Sequence, residues 1–155
     1  MNIKFVVLTD KNYHDYKDLL YKFELTLYDH QKALYKGYFP EFQFNTIKDK
    51  HANIVIFQDK DKPFGYIIYK IFNKLWVTEL YFNEDYRGKG LLKQVVKYLV
   101  NICTKKKIPT IALGALNTNK SAIISYTACG FVITSVNVDS CVLELPIEFY
   151  NRRKQ

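Results

Sequence analysis

Apolar and polar positions recur with two different periods along the chain, and these periods predict an order of helices and strands. A short apolar run from Ile3 to Leu8 predicts a first strand. After Asp10, which we expect to be an N-cap, apolar side chains recur every three to four residues, which predicts an amphipathic helix. The residues at that spacing are Tyr13, Tyr16, Leu20, Phe23 and Leu27.

Three apolar runs then follow one another closely and predict strands. Their sequences are NIVIFQ, FGYIIYKIF and LWVTELYF, and turns separate them at residues 59–63 and near Asn73. Because these connections are short, residues 53–82 are expected to form an antiparallel meander.

The second half of the chain returns to a helical period. The stretch NEDYRGKGLLKQVVKYLV opens with polar residues and glycines and continues as a helix. A strand (PTIALGAL), a short helix over residues 117–128 ending before Gly130, and two strands (FVITSVNV and CVLELPI) come next. The apolar stripe of the first of these helices comprises Leu92, Val95, Val96, Leu99 and Cys103.

This order predicts one α/β domain spanning residues 1–155. Its mixed central sheet would start as an antiparallel meander, continue through helical crossovers, and be flanked by helices. The length of 155 residues and the 48% of hydrophobic residues suit a single packed core.

The sequence composition limits the cell compartment in which we expect the protein. No apolar run approaches the roughly 20 residues of a membrane span. The short apolar run at the start is followed at once by acidic and polar residues, which does not resemble a signal peptide. The three cysteines lack CxxC spacing, so we expect inert thiols in a reducing compartment, the cytoplasm, and no metal site.

The net charge of +8 is confined to one half of the chain. Residues 1–86 hold 12 basic and 12 acidic side chains, whereas residues 87–155 hold 11 basic and 3 acidic ones. A basic half is compatible with nucleic acid or with a single phosphorylated cofactor. The boundary falls at a glycine loop, which favours the cofactor.

That loop has the arrangement of a phosphate cradle. It leaves a strand at Phe82 and enters a helix, whose first N–H groups are unpaired and carry partial positive charge. Gly88 and Gly90 permit close approach of a phosphate, while Arg87 and Lys89 add charge. The third glycine of a dinucleotide fingerprint and the GKS or GKT of a P-loop are both missing. A basic surface turn remains the alternative.

A second group of residues lies in NKSAIISYTACGF, residues 119–131. Asn119, Ala122 and Tyr126 are three and four residues apart, which places them on one helical stripe with a small residue in the middle. The competing interpretation of Tyr126 is a core residue with a hydrogen-bonded hydroxyl.

Two stretches of the chain have motifs of a known family: YFNEDYRGKGLLKQVV and the later N-x-x-A-x-x-x-Y-x-x-x-G-F. Together they resemble the GNAT superfamily of N-acetyltransferases. The family's acetyl-CoA loop follows the pattern Arg/Gln-x-x-Gly-x-Gly/Ala, which here begins at Arg87 and has Gly90 as its first glycine. The similarity is clearest over residues 53–131. Leu92 departs from the pattern, and we expect its side chain to point into the helix stripe and its N–H to remain available.

The resemblance implies direct transfer of acetyl from acetyl-CoA to an amine of a small molecule or protein. It implies Glu79 as general base, although a sheet-surface glutamate is equally compatible with the residues, and Tyr126 as general acid for the CoA thiolate. Backbone N–H groups of residues 80–82 would polarise the thioester, and Asn119 would bind the pantetheine arm. The expected cofactor-binding residues are Leu80, Tyr81, Phe82, Arg87, Gly88, Lys89, Gly90, Leu91, Leu92, Lys93, Asn119 and Tyr126.

Other functions remain open at this point. The basic half would permit acetylation of aminoacyl-tRNA, and a non-catalytic CoA-binding or nucleic-acid-binding module is a further alternative. Five aromatic residues within positions 35–44 line either the core or a substrate groove. By analogy with the family, a homodimer is expected.

Overall fold

The computed structural model describes residues 1–44 and 49–153. Over these residues it contains seven strands, four α-helices and a 3-10 turn at Glu84–Tyr86. The strands are β1 (Lys4–Val7), β2 (Asn53–Asp59), β3 (Lys62–Ile71), β4 (Leu75–Phe82), β5 (Thr110–Leu116), β6 (Val132–Val136) and β7 (Ser140–Pro146). The helices are α1 (Tyr13–Leu34), α2 (Leu91–Lys106), α3 (Lys120–Ala128) and α4 (Ile147–Arg153).

The sheet is mixed, as predicted. Its strand order is β1-β2-β3-β4-β5-β7-β6, in which β4 and β5 run parallel and are joined through α2. A parallel pair needs such a crossover, whereas the short connections earlier in the chain suit antiparallel neighbours. The prediction of an antiparallel meander followed by helical crossovers is therefore confirmed.

The chain divides into two compact units. The first comprises Met1–Lys70 and Thr78–Lys89. In it, β1 and β3 both pair antiparallel with β2. One face of this sheet is covered by α1, whose Leu20 and Phe23 pack in a cluster with Ile54, Ile56, Tyr66, Ile68 and Tyr81.

Helix α1 begins two residues later than predicted. It begins after Asn12 rather than after Asp10, and Asn12 accepts a hydrogen bond from the backbone N–H of Thr9 at 2.7 Å. It then continues to Leu34, seven residues beyond the last apolar position of the predicted stripe. The sequence leaves residues 30–50 open between helix and loop, with Gly37 and Pro40 as helix breakers, and the helix ends before both.

The second unit comprises Ile71–Val77 and Gly90–Gln155. Here β7 pairs antiparallel with both β5 and β6. The buried stripe of α2 starts at Leu91, and Leu92 is only half-buried. At about 100° per residue Leu92 lies between the directions of Val95 and Val96, so its partial burial does not contradict the expectation that it points into the stripe, which stays a prediction.

The cysteines of the described residues are all free thiols. Burial raises the pKa of Cys103 to about 11 and also raises the pKa of Cys129. Both are therefore protonated and weakly nucleophilic near neutral pH, in agreement with the expectation of inert thiols.

A close approach of two backbones at Gly65 leads to a stability prediction. A methyl group there would place its carbon 2.2 Å from the carbonyl oxygen of Tyr81. We expect Gly65→Ala to destabilise the protein by about 1–3 kcal/mol, which lowers Tm by about 4–10 °C in a thermal unfolding experiment. Gly114→Ala is the control, since its nearest neighbour would be 3.8 Å away. Equal Tm values for the two variants would contradict this account.

Candidate active site

Glu79 lies on β4 with its carboxylate half-buried. Alternation along the strand places Glu79 on the same face as Tyr81 and opposite to Leu80, as predicted. The hydroxyl of Tyr66, on β3, donates a hydrogen bond to Glu79 Oε1 at 2.8 Å. The carboxyl of Glu79 is therefore fixed by a hydrogen bond and partly desolvated, unlike that of a solvated glutamate on a sheet surface.

A second carboxyl group joins Glu79 in the same unit. Glu24, on α1, is 4% exposed, and its carboxyl is hydrogen-bonded to that of Glu79. Burial raises the pKa of Glu79, and the hydrogen bonds from Tyr66 and Glu24 oppose this only in part. Burial and the nearby Glu79 also keep the Tyr66 phenol protonated by raising its pKa. The three groups form one connected network.

Neither partner of Glu79 was predicted from the sequence. The available signal for Glu24 was a charged residue at an apolar position, because it stands four residues after Leu20 and three before Leu27. A buried charge at such a position needs a partner. The partner itself, 55 positions further along the chain, could not be deduced from that spacing.

A groove of about 770 Å³ opens over Glu24 and Glu79. This volume lies in the range of pockets that bind small molecules. Aromatic residues from the segment after α1 form part of its lining, so at least Tyr38, Phe39 and Phe42 are groove residues. The full lining is Glu24, Leu27, Tyr28, Gln31, Tyr38, Phe39, Pro40, Glu41, Phe42, Gln43, Asp49, Ala52, Ile68, Lys70, Thr78 and Glu79.

The groove is acidic although the chain is basic. Among the described lining residues there are four carboxyl groups and a single lysine, and that lysine, Lys70, is ion-paired with Asp49. The aromatic wall of the groove is held by contacts to α1, since the rings of Phe39 and Phe42 lie 5.3 and 5.4 Å from that of Tyr28. The combination of carboxylates and aromatic faces favours a cation.

The glycine loop has the backbone geometry predicted for a phosphate cradle. Gly88 and Gly90 have φ values of 71° and 74°, a conformation that glycine adopts readily. Within the described residues, the backbone N–H groups from Gly88 to Lys93 donate no hydrogen bond to the protein. These donors lie at the start of a 16-residue helix, where they and the helix dipole can bind an anion.

The loop also passes a steric test for a pyrophosphate. A Cβ atom built on Gly88 or Gly90 would meet nothing within 4 Å, so the space beside both glycines is open. Arg87 is oriented by its Nε, which donates to the carbonyl oxygen of Phe82 at 2.9 Å, and its guanidinium lies over the Tyr81 ring. The residues of the loop therefore fit the diphosphate of a CoA molecule.

Asn119 and Tyr126 lie on α3, in the second unit. Asn119 is the N-cap, and its side-chain oxygen accepts from the N–H of Ala122 at 3.3 Å, which leaves the amide nitrogen as its available donor. Tyr126 is half-buried and packs edge-on against Phe131. Burial raises the pKa of Tyr126 to about 12, with a smaller contribution from Cys129. Gly130, at φ 103°, ends the helix as predicted.

Strand β4 supplies the remaining expected residues. Its parallel pairing with β5 covers Leu75–Val77 and Ile111–Leu113, and beyond Val77 no described residue of β5 pairs with it. The backbone of Leu80, Tyr81 and Phe82 follows this point. Tyr81 is buried, and its hydroxyl donates to Asn83. Its ring packs in the same cluster as Tyr66, which donates to Glu79.

The sequence profile of the acetyltransferase (GNAT) family matches residues 14–131, a span that includes Glu24, Glu79, the glycine loop and Tyr126. The chain belongs to the GNAT acetyltransferase family. It is a transferase, and acetyl-CoA is its co-substrate. No curated protein sequence matches the chain.

Solved structures share the GNAT fold over nearly the whole chain. An acetyltransferase from Thermus thermophilus has a TM-score of 0.73 at 17% identity, covering 94% of this chain and 97% of that one. The PaiA N-acetyltransferase from Thermoplasma acidophilum, solved with coenzyme A, has a TM-score of 0.70 at 17% identity, with coverage of 94% and 99%. A dodecameric spermidine N-acetyltransferase from Vibrio cholerae has a TM-score of 0.69 at 15% identity, with 99% of both chains covered.

The structure brings some of the predicted residues together with unpredicted ones. Glu79 shares its unit with Glu24, Tyr66 and the groove, whereas Asn119 and Tyr126 share α3 in the other unit. Among the described residues, no helix is both long and apolar enough to cross a membrane.

Proposed function

We propose that this GNAT enzyme transfers acetyl from acetyl-CoA to a primary amine of a small cationic molecule, which it binds in the acidic groove of the first unit. The observation that carries this proposal is Glu79: a half-buried carboxyl, held by Tyr66 and facing a groove with aromatic walls. That arrangement suits an ammonium group that must be bound and then deprotonated.

Glu79 would act as the general base. An alkylammonium with a pKa near 10.4 is about 4–5 kcal/mol away from its free-base form at neutral pH. A glutamate of ordinary pKa, about 4.3, is a poor acceptor for this proton. Burial raises the pKa of Glu79, which moves it towards the range in which a base works well at neutral pH.

The glycine loop and α3 would serve the other substrate. Acetyl-CoA supplies an activated acyl group when bound. The N–H groups of residues 88–93 would hold its diphosphate, and the Asn119 amide would donate to its pantetheine arm. Backbone N–H groups of Leu80 to Phe82 would donate to the thioester oxygen, and Tyr126 would protonate the leaving sulfur.

The groove favours amines with more than one positive charge. Glu41 and the Asp49–Lys70 pair add carboxylates to the groove besides Glu24 and Glu79, and these can contact a second positive charge. Likeness to the spermidine N-acetyltransferase from Vibrio cholerae also supports a polycationic acceptor. The same carboxylates would repel the phosphates of a charged tRNA, which disfavours that alternative.

An amine panel tests the proposal. We expect acetyl transfer to linear diamines and triamines with kcat/KM about fivefold above that for monoamines of equal length, because a second ion contact contributes about 1 kcal/mol. Glu41→Gln should raise KM for the diamine about threefold and leave KM for the monoamine unchanged. The measurement is thiol release from acetyl-CoA together with mass spectrometry of the product.

The panel includes aminoacyl-tRNA and a peptide with a free N-terminus. Preferential acetylation of either one would contradict a small cationic acceptor. Calorimetry with acetyl-CoA provides the matched binding control. Tight acetyl-CoA binding without transfer to any amine would instead identify a non-catalytic CoA-binding protein.

A further inference from the structure

Glu24 is a buried acid for which the transfer reaction has so far assigned no role. It is 4% exposed, lines the groove, and has its carboxyl hydrogen-bonded to that of Glu79. A hydrogen bond between two carboxyl groups requires a proton on one of them, because a carboxylate is an acceptor only. Two carboxyl groups joined in this way hold one proton between them and carry one negative charge.

We propose that Glu24 and Glu79 work as one proton-accepting unit, in which Glu79 takes the proton of the acceptor ammonium and Glu24 is the positioning residue that holds that proton in a carboxyl–carboxylate hydrogen bond. This inference rests on the proposed function of the groove. In the step itself, an N–H bond of the ammonium breaks and an O–H bond forms on Glu79. The pair passes from two negative charges to one, the amine becomes neutral, and the proton later leaves to solvent.

Phenols rather than cations surround the pair among the described residues. From β3, the Tyr66 hydroxyl donates to Glu79. From α1, Tyr13 has its pKa raised first by burial and then by the nearby Glu24 carboxyl. Tyr81 completes the cluster from β4. The lysine that lines the groove, Lys70, is ion-paired with Asp49. Two negative charges side by side in such a place repel strongly.

That repulsion determines the direction of the pH dependence. Removing the shared proton creates the doubly charged pair, so its apparent pKa lies above that of a lone glutamate. The doubly charged form is the active base, and kcat/KM therefore rises as pH rises through this apparent pKa. Without the Glu24 charge, Glu79 loses its proton more easily and is a weaker base once it has done so.

The experiment is the pH profile of kcat/KM for Glu24→Gln with one amine from the panel. We expect the acid limb to move down by at least about one pH unit and the plateau to fall about tenfold. Glutamine keeps the size and hydrogen-bonding capacity of the side chain and removes the charge. Asp18→Asn, an exposed acid on the same helix, is the control and should leave the profile unchanged. If Glu24→Gln lowered the plateau of kcat/KM without moving the acid limb of its pH profile, Glu24 would have only a structural role, and the proposal would be overturned.

Infrared titration of the protein's carboxyl groups gives a readout that does not depend on turnover. In the wild-type protein we expect two buried carboxyl groups to titrate in steps separated by more than about one pH unit, and the later step should vanish in Glu24→Gln. If Glu24→Gln does not fold, the wild-type titration alone decides, and a single merged step overturns proton sharing. If no amine is acetylated, the proposed function fails while this titration still answers whether the pair shares a proton.

Discussion

Replacing Glu79 with glutamine is expected to lower kcat/KM for the acceptor amine by about 10²–10³-fold at pH 7. The free amine is then available only as the small fraction present in solution, about one part in a few thousand for an amine of pKa 10.4. The variant should consequently gain close to tenfold in rate for each pH unit between about 7 and 10. Steady-state kinetics across this range, with the amine held below KM, measures both effects.

Acetyl-CoA binding separates a lost base from a damaged fold. The Kd for acetyl-CoA of Glu79→Gln, measured by calorimetry, should remain within about twofold of the wild-type value, because Glu79 is not among the residues proposed to bind the cofactor. Glu148→Gln removes an exposed carboxylate from α4 and serves as the control with normal turnover. Retention of the wild-type rate at pH 7 by Glu79→Gln would show that another group accepts the proton.

Replacing Tyr126 with phenylalanine is expected to lower kcat by about 10²-fold while changing KM for acetyl-CoA by less than about threefold. The substitution keeps the ring packed against Phe131 and removes only the hydroxyl. With its pKa raised to about 12, this phenol remains protonated throughout the working pH range. It can therefore donate to the sulfur as the C–S bond breaks.

The raised pKa also limits how far that proton moves. Complete transfer from a phenol of pKa about 12 to a thiolate of pKa about 8.5 is uphill by about 5 kcal/mol. Tyr126 is better suited to sharing its proton in the transition state while the amine proton released on C–N bond formation restores it. A solvent deuterium isotope effect on kcat should be present in the wild-type enzyme and smaller in Tyr126→Phe, which keeps only the proton transfer to Glu79.

A matched hydroxyl deletion is available in the same unit. Tyr150→Phe removes a phenol from α4 and should retain normal kcat. Equal turnover by Tyr126→Phe and the wild-type enzyme would remove Tyr126 from the acid role, and the thiolate would then leave without protein assistance. A large rise in KM for acetyl-CoA with constant kcat would instead make Tyr126 a binding residue.

The two predictions test different units of the chain. Glu79 belongs to the first unit with the groove, and Tyr126 belongs to the second with α3. Loss of amine deprotonation in one variant and loss of leaving-group protonation in the other would show that the two proton transfers are separable. Their effects on kcat would then be close to additive on a logarithmic scale.

Local sequence was enough to predict the elements that carry the cofactor residues. Strand β4 begins and ends where LWVTELYF predicts, and the loop after it has positive φ at Gly88 and Gly90, where the pattern requires glycine. These features depend on side-chain alternation and on backbone conformations within a few residues. The start of α1 at Tyr13 and the burial of Leu91 were missed.

The composition of the groove, in contrast, was decided by the tertiary structure. Glu24, Tyr66 and Glu79 come from a helix and two strands, and Glu24 lies 42 positions from Tyr66 along the chain. The sequence by itself determined the fold class, the family and a carboxylate on one face of β4. Only folding brought the buried carboxyl of Glu24 to that carboxylate and partly removed Glu79 from water. The pKa of a carboxyl depends on the charges and solvent around it rather than on its neighbours in sequence.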